Sequence, residues 1–118
     1  FDVALNPDAA AVLEANLARH RVRGRTLAVC GMLSDKDVPA VLAALKGSVD
    51  LWFAAATDGP RGLSDADLAA LATTAGIAMI PSGTVPAAMQ AAARVARAGD
   101  RVVVFGSFHT VGPALSRV

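Results

Sequence analysis

At 118 residues the chain has the length of one domain and can bury a sizeable core. More than half of it is apolar (54%) and little is aromatic (4%), which suits Ala, Val and Leu packed in helix and sheet layers rather than a β-sandwich. The formal net charge is +1 with acidic and basic residues interspersed, so the balance gives no nucleic-acid or membrane-surface footprint.

The chain begins at Phe1, inside what reads as a short strand, Phe1 to Ala4, and so looks like a piece of a longer polypeptide. Asn6 is a good cap and Pro7 suits the first turn of a helix, where its missing N–H is no loss. Ala9, Ala10, Val12, Leu13 and Leu17 give that helix an apolar stripe, which fades at Arg19-His20-Arg21. His20 reads as a surface residue compensating the helix dipole. Arg23-Gly24-Arg25 is a basic turn into the unbroken run Leu27-Ala28-Val29-Cys30, a strand buried on both faces.

This strand ends at Gly31, and a polar loop, Ser34 to Asp37, leads to Val38, Val41, Leu42 and Leu45 on one helical face. Asp37 is the expected N-cap, and Gly47 the expected left-handed C-terminal cap. The single cysteine, Cys30, lies in the central strand, allows no internal disulfide, and makes a reducing cytoplasm the default location.

Val49 to Ala56 is a further strand, followed by the turn-rich Thr57-Asp58-Gly59-Pro60-Arg61-Gly62. Ser64, with Asp67 three residues on, starts a helix with Leu68, Leu71, Ala72 and Ala75 as its stripe, ended by Gly76. Ile77 to Ile80 reads as a strand, Pro81-Ser82-Gly83 as a turn, and Thr84 as the cap of an Ala-rich helix reaching about Ala98. Val102 to Phe105 is the last apolar strand, and a helical segment through Leu115 closes the chain. The expected fold is therefore α/β: a Rossmann-like three-layer domain, mostly parallel, with helices on both faces. No run reaches the ~20 apolar residues that span a bilayer.

Four loops that follow strands hold polar groups, and a parallel sheet opens all of them on one edge, where ligands gather. They are Asp2 with Asn6, Ser34 to Asp37, Asp58 to Arg61, and Ser107 with His109. Asp2 reads either as a strand-end residue bonding the next turn or as an acceptor for ribose hydroxyls. Asp35 and Asp37 read as caps or, with Lys36, as groups for a charged substrate. Arg61, between Gly-Pro and Gly on a tight turn, is either solvated or able to fork onto phosphate or carboxylate. Gly106-Ser107 stands where backbone N–H groups and a hydroxyl make an anion cradle, although Ser107 could equally cap a helix. His109 is a candidate acid–base group or ligand, but no second His or Cys stands at metal spacing, so no metal site is expected. No dinucleotide fingerprint, P-loop or nucleophile elbow is present.

At the same four loops the sequence resembles a known family. Asp2-Val3-Ala4-Leu5-Asn6-Pro7 is similar to the D-V-A-H-N-P motif that opens the C-terminal domain of the folylpolyglutamate and dihydrofolate synthases of the Mur ligase superfamily. Gly31 to Asp37 is similar to that family's G-M-L-x-D-K-D, Gly59-Pro60-Arg61 to its P-R loop, and Gly106 to Val111 to its G-S-F-H-T-V. Leu5 departs from the pattern by replacing a His.

The resemblance implies a ligase that uses ATP and Mg²⁺ to turn a carboxylate into an acyl phosphate, which the amino group of L-glutamate attacks. The acceptor is folate or dihydropteroate. It also implies that the P-loop and magnesium ligands belong to a preceding N-terminal ATPase domain, over which this domain closes. Asp2 and Asn6 would then contact the nucleotide, Ser107 would face the glutamate or acyl-phosphate region, Lys36 and Arg61 would line the interdomain cleft, and His109 and Asp35 would bind glutamate or line that cleft. The alternative reading is a degenerate or regulatory α/β module without catalysis. A response-regulator receiver fits poorly, since the last apolar strand ends in Gly106-Ser107 rather than Lys.

Overall fold

β1 (Thr26–Gly31) is the axis of the molecule, with every residue buried. The computed structural model describes residues 7–34, 37–106 and 114–117, the last four and Pro7 by backbone alone. β1 pairs in parallel with β2 (Leu51–Ala56) on one side and with β4 (Arg101–Gly106) on the other. β3 (Met79–Thr84) extends the sheet beyond β2, and β5 (Ala114–Arg117) runs antiparallel beside β4, giving the order β3-β2-β1-β4-β5.

Alternate residues of each inner strand enter separate cores. Ala28 and Cys30 of β1, Trp52 and Ala54 of β2, and Val103 and Phe105 of β4 face α1 (Pro7–Arg19), α2 (Val38–Leu45) and α3 (Asp65–Thr74). Leu27, Val29, Phe53, Ala55 and Val102 face α4 (Val85–Val95), whose Ala88 and Ala92 are fully buried. The expected sheet with helices on both faces is thus present, with three of the described α-helices on one face and one on the other. Trp52 and Phe105 sit two strands apart, about 10 Å of sheet, yet meet edge to face with ring centroids 6.1 Å apart. The small Ala28 and Cys30 of the intervening strand leave room for that contact.

The helix starts follow the capping logic. Asp37 accepts from the Ala40 N–H at 3.4 Å, Ser64 from Asp67 at 3.0 Å and Thr84 from Ala87 at 3.2 Å. Gly76 closes α3 at φ +75°, a conformation in which a side chain is strained.

Other expectations are corrected. Gly47 is no left-handed cap, because α2 tightens into a 3₁₀ turn, Lys46–Ser48, whose Ser48 hydroxyl donates to Glu14 of α1. Val12 is 62% exposed: the face toward α2 is made by Ala9, Ala10, Leu13 and Leu17, and Val12, one residue before Leu13 at the middle of that stripe, points off it. The strand expected at Val49 starts at Leu51. The strand expected at Ile77 to Ile80 starts at Met79 and runs through Pro81-Ser82-Gly83, which is therefore no turn. β3 is a sheet edge, where a proline without N–H breaks no ladder, and Gly83 N–H donates instead to Asp65 at 2.9 Å.

The Ala-rich helix stops at Val95 rather than Ala98. The Asp100 carboxylate takes the Arg97 N–H at 2.9 Å, and Arg25 donates to the Val95 carbonyl at 3.0 Å, so the last turn is diverted. The end of the expected closing helix, residues 114 and 115, lies instead in β5, with Leu115 opposite Val103, and the rest of that segment falls outside the described residues. Here the open edge of β4 offers backbone partners that four residues of helix could not supply internally. The expected strand Phe1 to Ala4 and the cap Asn6 lie outside the described residues.

Candidate functional site

Among the described strands the order 3-2-1-4 places a topological switch between β1 and β4: the chain leaves β1 over the α2 face and reaches β4 from the α4 face. A crevice opens outside the carboxyl ends of two such strands. Those ends are Gly31 and Gly106, which are register partners and both buried. Neither residue has a side chain, so nothing beyond Cα projects from either strand end.

One wall is formed by two connections joined to each other. Leu33 and Gly62 form an antiparallel bridge. Ser34 N–H donates to the Arg61 carbonyl at 2.7 Å, and Leu63 N–H to the Met32 carbonyl at 3.1 Å. Gly59 turns at φ +94°, with Gly62 N–H closing on its carbonyl at 3.1 Å. Arg61 is thereby fixed by its backbone beside Ser34 while its side chain is exposed. The two neighbouring motifs, Gly31 to Ser34 and Gly59 to Gly62, are thus parts of one surface.

Of the candidate site residues, Arg61 is the one the structure describes. Asp2, Asn6, Asp35, Lys36, Ser107 and His109 lie outside the described residues. Asp37 is a helix cap, as the simpler of its two readings has it. Among the described residues no group of three His, Cys, Asp or Glu side chains could hold a metal ion. Thr57 is the residue sequence reasoning passed over. Its signal was a lone hydroxyl ending the apolar run Leu51 to Ala56, and its hydroxyl donates to the Met32 carbonyl at 3.0 Å.

A cleft of about 330 Å³ lies at the opposite, amino edge of the sheet, lined among others by Glu14, Thr26, Asp50 and Arg101. Its polar groups already hold elements together. Arg101 donates to Thr26 Oγ1 at 2.8 Å, to the Leu17 carbonyl at 2.9 Å and to the His20 carbonyl, while Asp50 accepts from Thr26 N–H at 2.8 Å. This edge is a structural clasp. Beside it, Asp100 is held down to about 2 by the N–H groups of Arg25 and Arg97 and by the Arg25 guanidinium. In the core, burial pushes the Cys30 thiol up to about 12, which leaves it an inert packing group.

The described strands and helices make a doubly wound α/β domain with glycines at the carboxyl ends of the two strands that flank its switch point. Residues 1–108 match the family model described as the Mur ligase, glutamate ligase domain, and the chain belongs to that family. It is 43% identical over 115 residues to the dihydrofolate synthase/folylpolyglutamate synthase of Escherichia coli, a match covering 94% of this chain and 25% of that protein.

Two solved structures superpose closely. E. coli FolC in complex with DHPP and ADP has a TM-score of 0.78 at 39% identity, covering 91% of this chain and 25% of that one. A bifunctional folylpolyglutamate synthase/dihydrofolate synthase with Mn, AMPPNP and L-glutamate bound has a TM-score of 0.77 at 38% identity, with the same coverage of each chain. The chain corresponds to the C-terminal domain of these relatives and spans about a quarter of their length. Among the described residues no helix is long and apolar enough to cross a membrane.

Proposed function

We propose that this chain is one wall of an ATP-dependent ligase that joins L-glutamate to dihydropteroate or to the γ-glutamyl end of a folate. The observation that carries the reading is the pair of glycine strand ends, Gly31 and Gly106, beside the joined Gly31–Ser34 and Gly59–Gly62 segments, in a chain of the glutamate ligase family.

ATP, when bound, supplies the phosphoryl group that converts the acceptor carboxylate into an acyl phosphate. The crevice mouth and the exposed Arg61 suit an anionic group of that kind. The described residues do not suit Mg²⁺, whose ligands this reading assigns to the N-terminal ATPase domain. Arg61 pairs with a carboxylate or phosphate, and its backbone is tied to Ser34 through its carbonyl. In this reading Ser107, His109, Asp35 and Lys36 serve the glutamate or the cleft, and Asp2 and Asn6 the nucleotide. The domain closes over ATP, lacks activity by itself, and works in the cytoplasm.

The test is oxygen transfer in the full-length protein. With ¹⁸O in the acceptor carboxylate, the reading expects one labelled oxygen in the phosphate released for each amide formed. Amide formation with unlabelled phosphate would reject an acyl phosphate.

A further inference from the structure

We propose that Thr57 is a positioning residue: its hydroxyl latches the β1–α2 connection to the β2–α3 connection, so that both sides of the cleft wall move as one body. The inference deepens the ligase reading and rests on it.

β1 and β2 pair in register only as far as Cys30 and Ala54. Beyond that point the strands part, and the carbonyl of Met32, whose side chain is fully buried, has left the ladder. A buried carbonyl needs partners. Here it receives two, Thr57 Oγ1–H at 3.0 Å and Leu63 N–H at 3.1 Å, from the two ends of the Thr57–Leu63 loop. Thr57 also closes that loop on itself, since its N–H donates to the Leu63 carbonyl at 3.1 Å.

The hydroxyl therefore stands where one loop is shut and the other attached. Four residues further on is Arg61, whose carbonyl holds Ser34 N–H. The fit tolerates no added atom on the facing residue: a Cβ on Gly62 would lie 2.1 Å from the Thr57 carbonyl oxygen and 2.7 Å from Oγ1. Asp58, Gly59 and Pro60, between latch and arginine, are exposed. If the latch opens, Arg61 and the Ser34 side of the wall lose their common frame, and the anionic group they share is held less well aligned.

The experiment compares Thr57→Val and Thr57→Ser in the full-length protein. Amide hydrogen exchange is read at Ser34 and Leu63, and steady-state ligation is read alongside thermal melting. Losing one neutral hydrogen bond corresponds to about fivefold to tenfold in an equilibrium. Thr57→Val should therefore speed both amides by about that factor and lower kcat/KM for glutamate similarly, and Thr57→Ser should restore both. Thr57→Ala, which removes the same hydroxyl without adding an apolar branch in its place, should reproduce the Val pattern, and it decides the matter if Thr57→Val does not fold. Unchanged exchange in the Val variant would remove the latch. Faster exchange with wild-type kinetics per folded molecule would remove its positioning role. A wild-type protein without ligase activity would instead count against the proposed function, while the exchange result would still report on the latch.

Discussion

Asp100 and Arg25 face each other across the amino edge of the sheet, with Oδ2 2.9 Å from Nη2 and 3.2 Å from Nε. The same carboxylate accepts the main-chain N–H of Arg25 at 2.7 Å and of Arg97 at 2.9 Å. One side chain thus sets where α4 ends and where β1 begins. Gly24 completes the arrangement, since a Cβ there would lie 2.1 Å from Asp100 Oδ1.

Stability should therefore depend on pH in the acid range. The Asp100 carboxyl titrates at about 2 in the folded chain against 3.8 ordinarily, so the unfolded chain takes up its proton first as pH falls. The contribution of this group is complete above about pH 4 and is lost progressively down to about pH 2. Urea unfolding at stepped pH should show that slope, and Asp100→Asn should flatten it while lowering the midpoint at neutral pH. Gly24→Ala should also lower the midpoint. An unaltered slope in Asp100→Asn would assign the acid sensitivity to other carboxylates.

Arg101, 7% exposed, provides the second clasp by capping the Leu17 and His20 carbonyls at the end of α1. Arg101→Met keeps much of the bulk but leaves those acceptors short of a donor, at about 1–3 kcal/mol for an unsatisfied buried group. Denaturation should register a loss of that size, with ligation per folded molecule unchanged in the full-length enzyme. A kinetic defect at full stability would mean that the amino edge takes part in the reaction.

Cys30, fully buried with its thiol at about 12, should resist thiol reagents at pH 8 and react only as fast as the fold opens. Labelling that saturates rapidly in native buffer would contradict the packing role.

Arg61→Ala should raise KM for an anionic substrate by about tenfold to a hundredfold, the worth of one hydrogen bond to a charged group. Arg61→Lys should recover part of it, because the charge returns without the planar fork. Unchanged constants would place Arg61 outside the site.

The central strand and the starts of α2, α3 and α4 were readable because each rests on a local rule: a continuous apolar run, or a side-chain oxygen three residues before the N–H it accepts. What escaped the reading depends on distant partners. The early stop at Val95 is made by Asp100 and Arg25, and Gly47 follows a turn held by Glu14, 33 positions away in sequence. β5 forms because β4 has an open edge, which no pattern within residues 114–117 records. At the candidate site the four loops could be ordered by motif. The hydroxyl of Thr57 could not be placed, because its acceptor lies 25 residues earlier, beyond the end of the β1–β2 ladder.

The most direct measurement is glutamate ligation by the full-length protein beside the 118-residue chain alone, each shown to be folded by circular dichroism, with ATP, Mg²⁺, L-glutamate and dihydropteroate. One glutamyl adduct and one ADP per turnover are expected from the full-length protein, and neither from the isolated domain. Ligation by the isolated domain, or its absence from a folded full-length protein, would contradict the assignment of this chain as one wall of a ligase site.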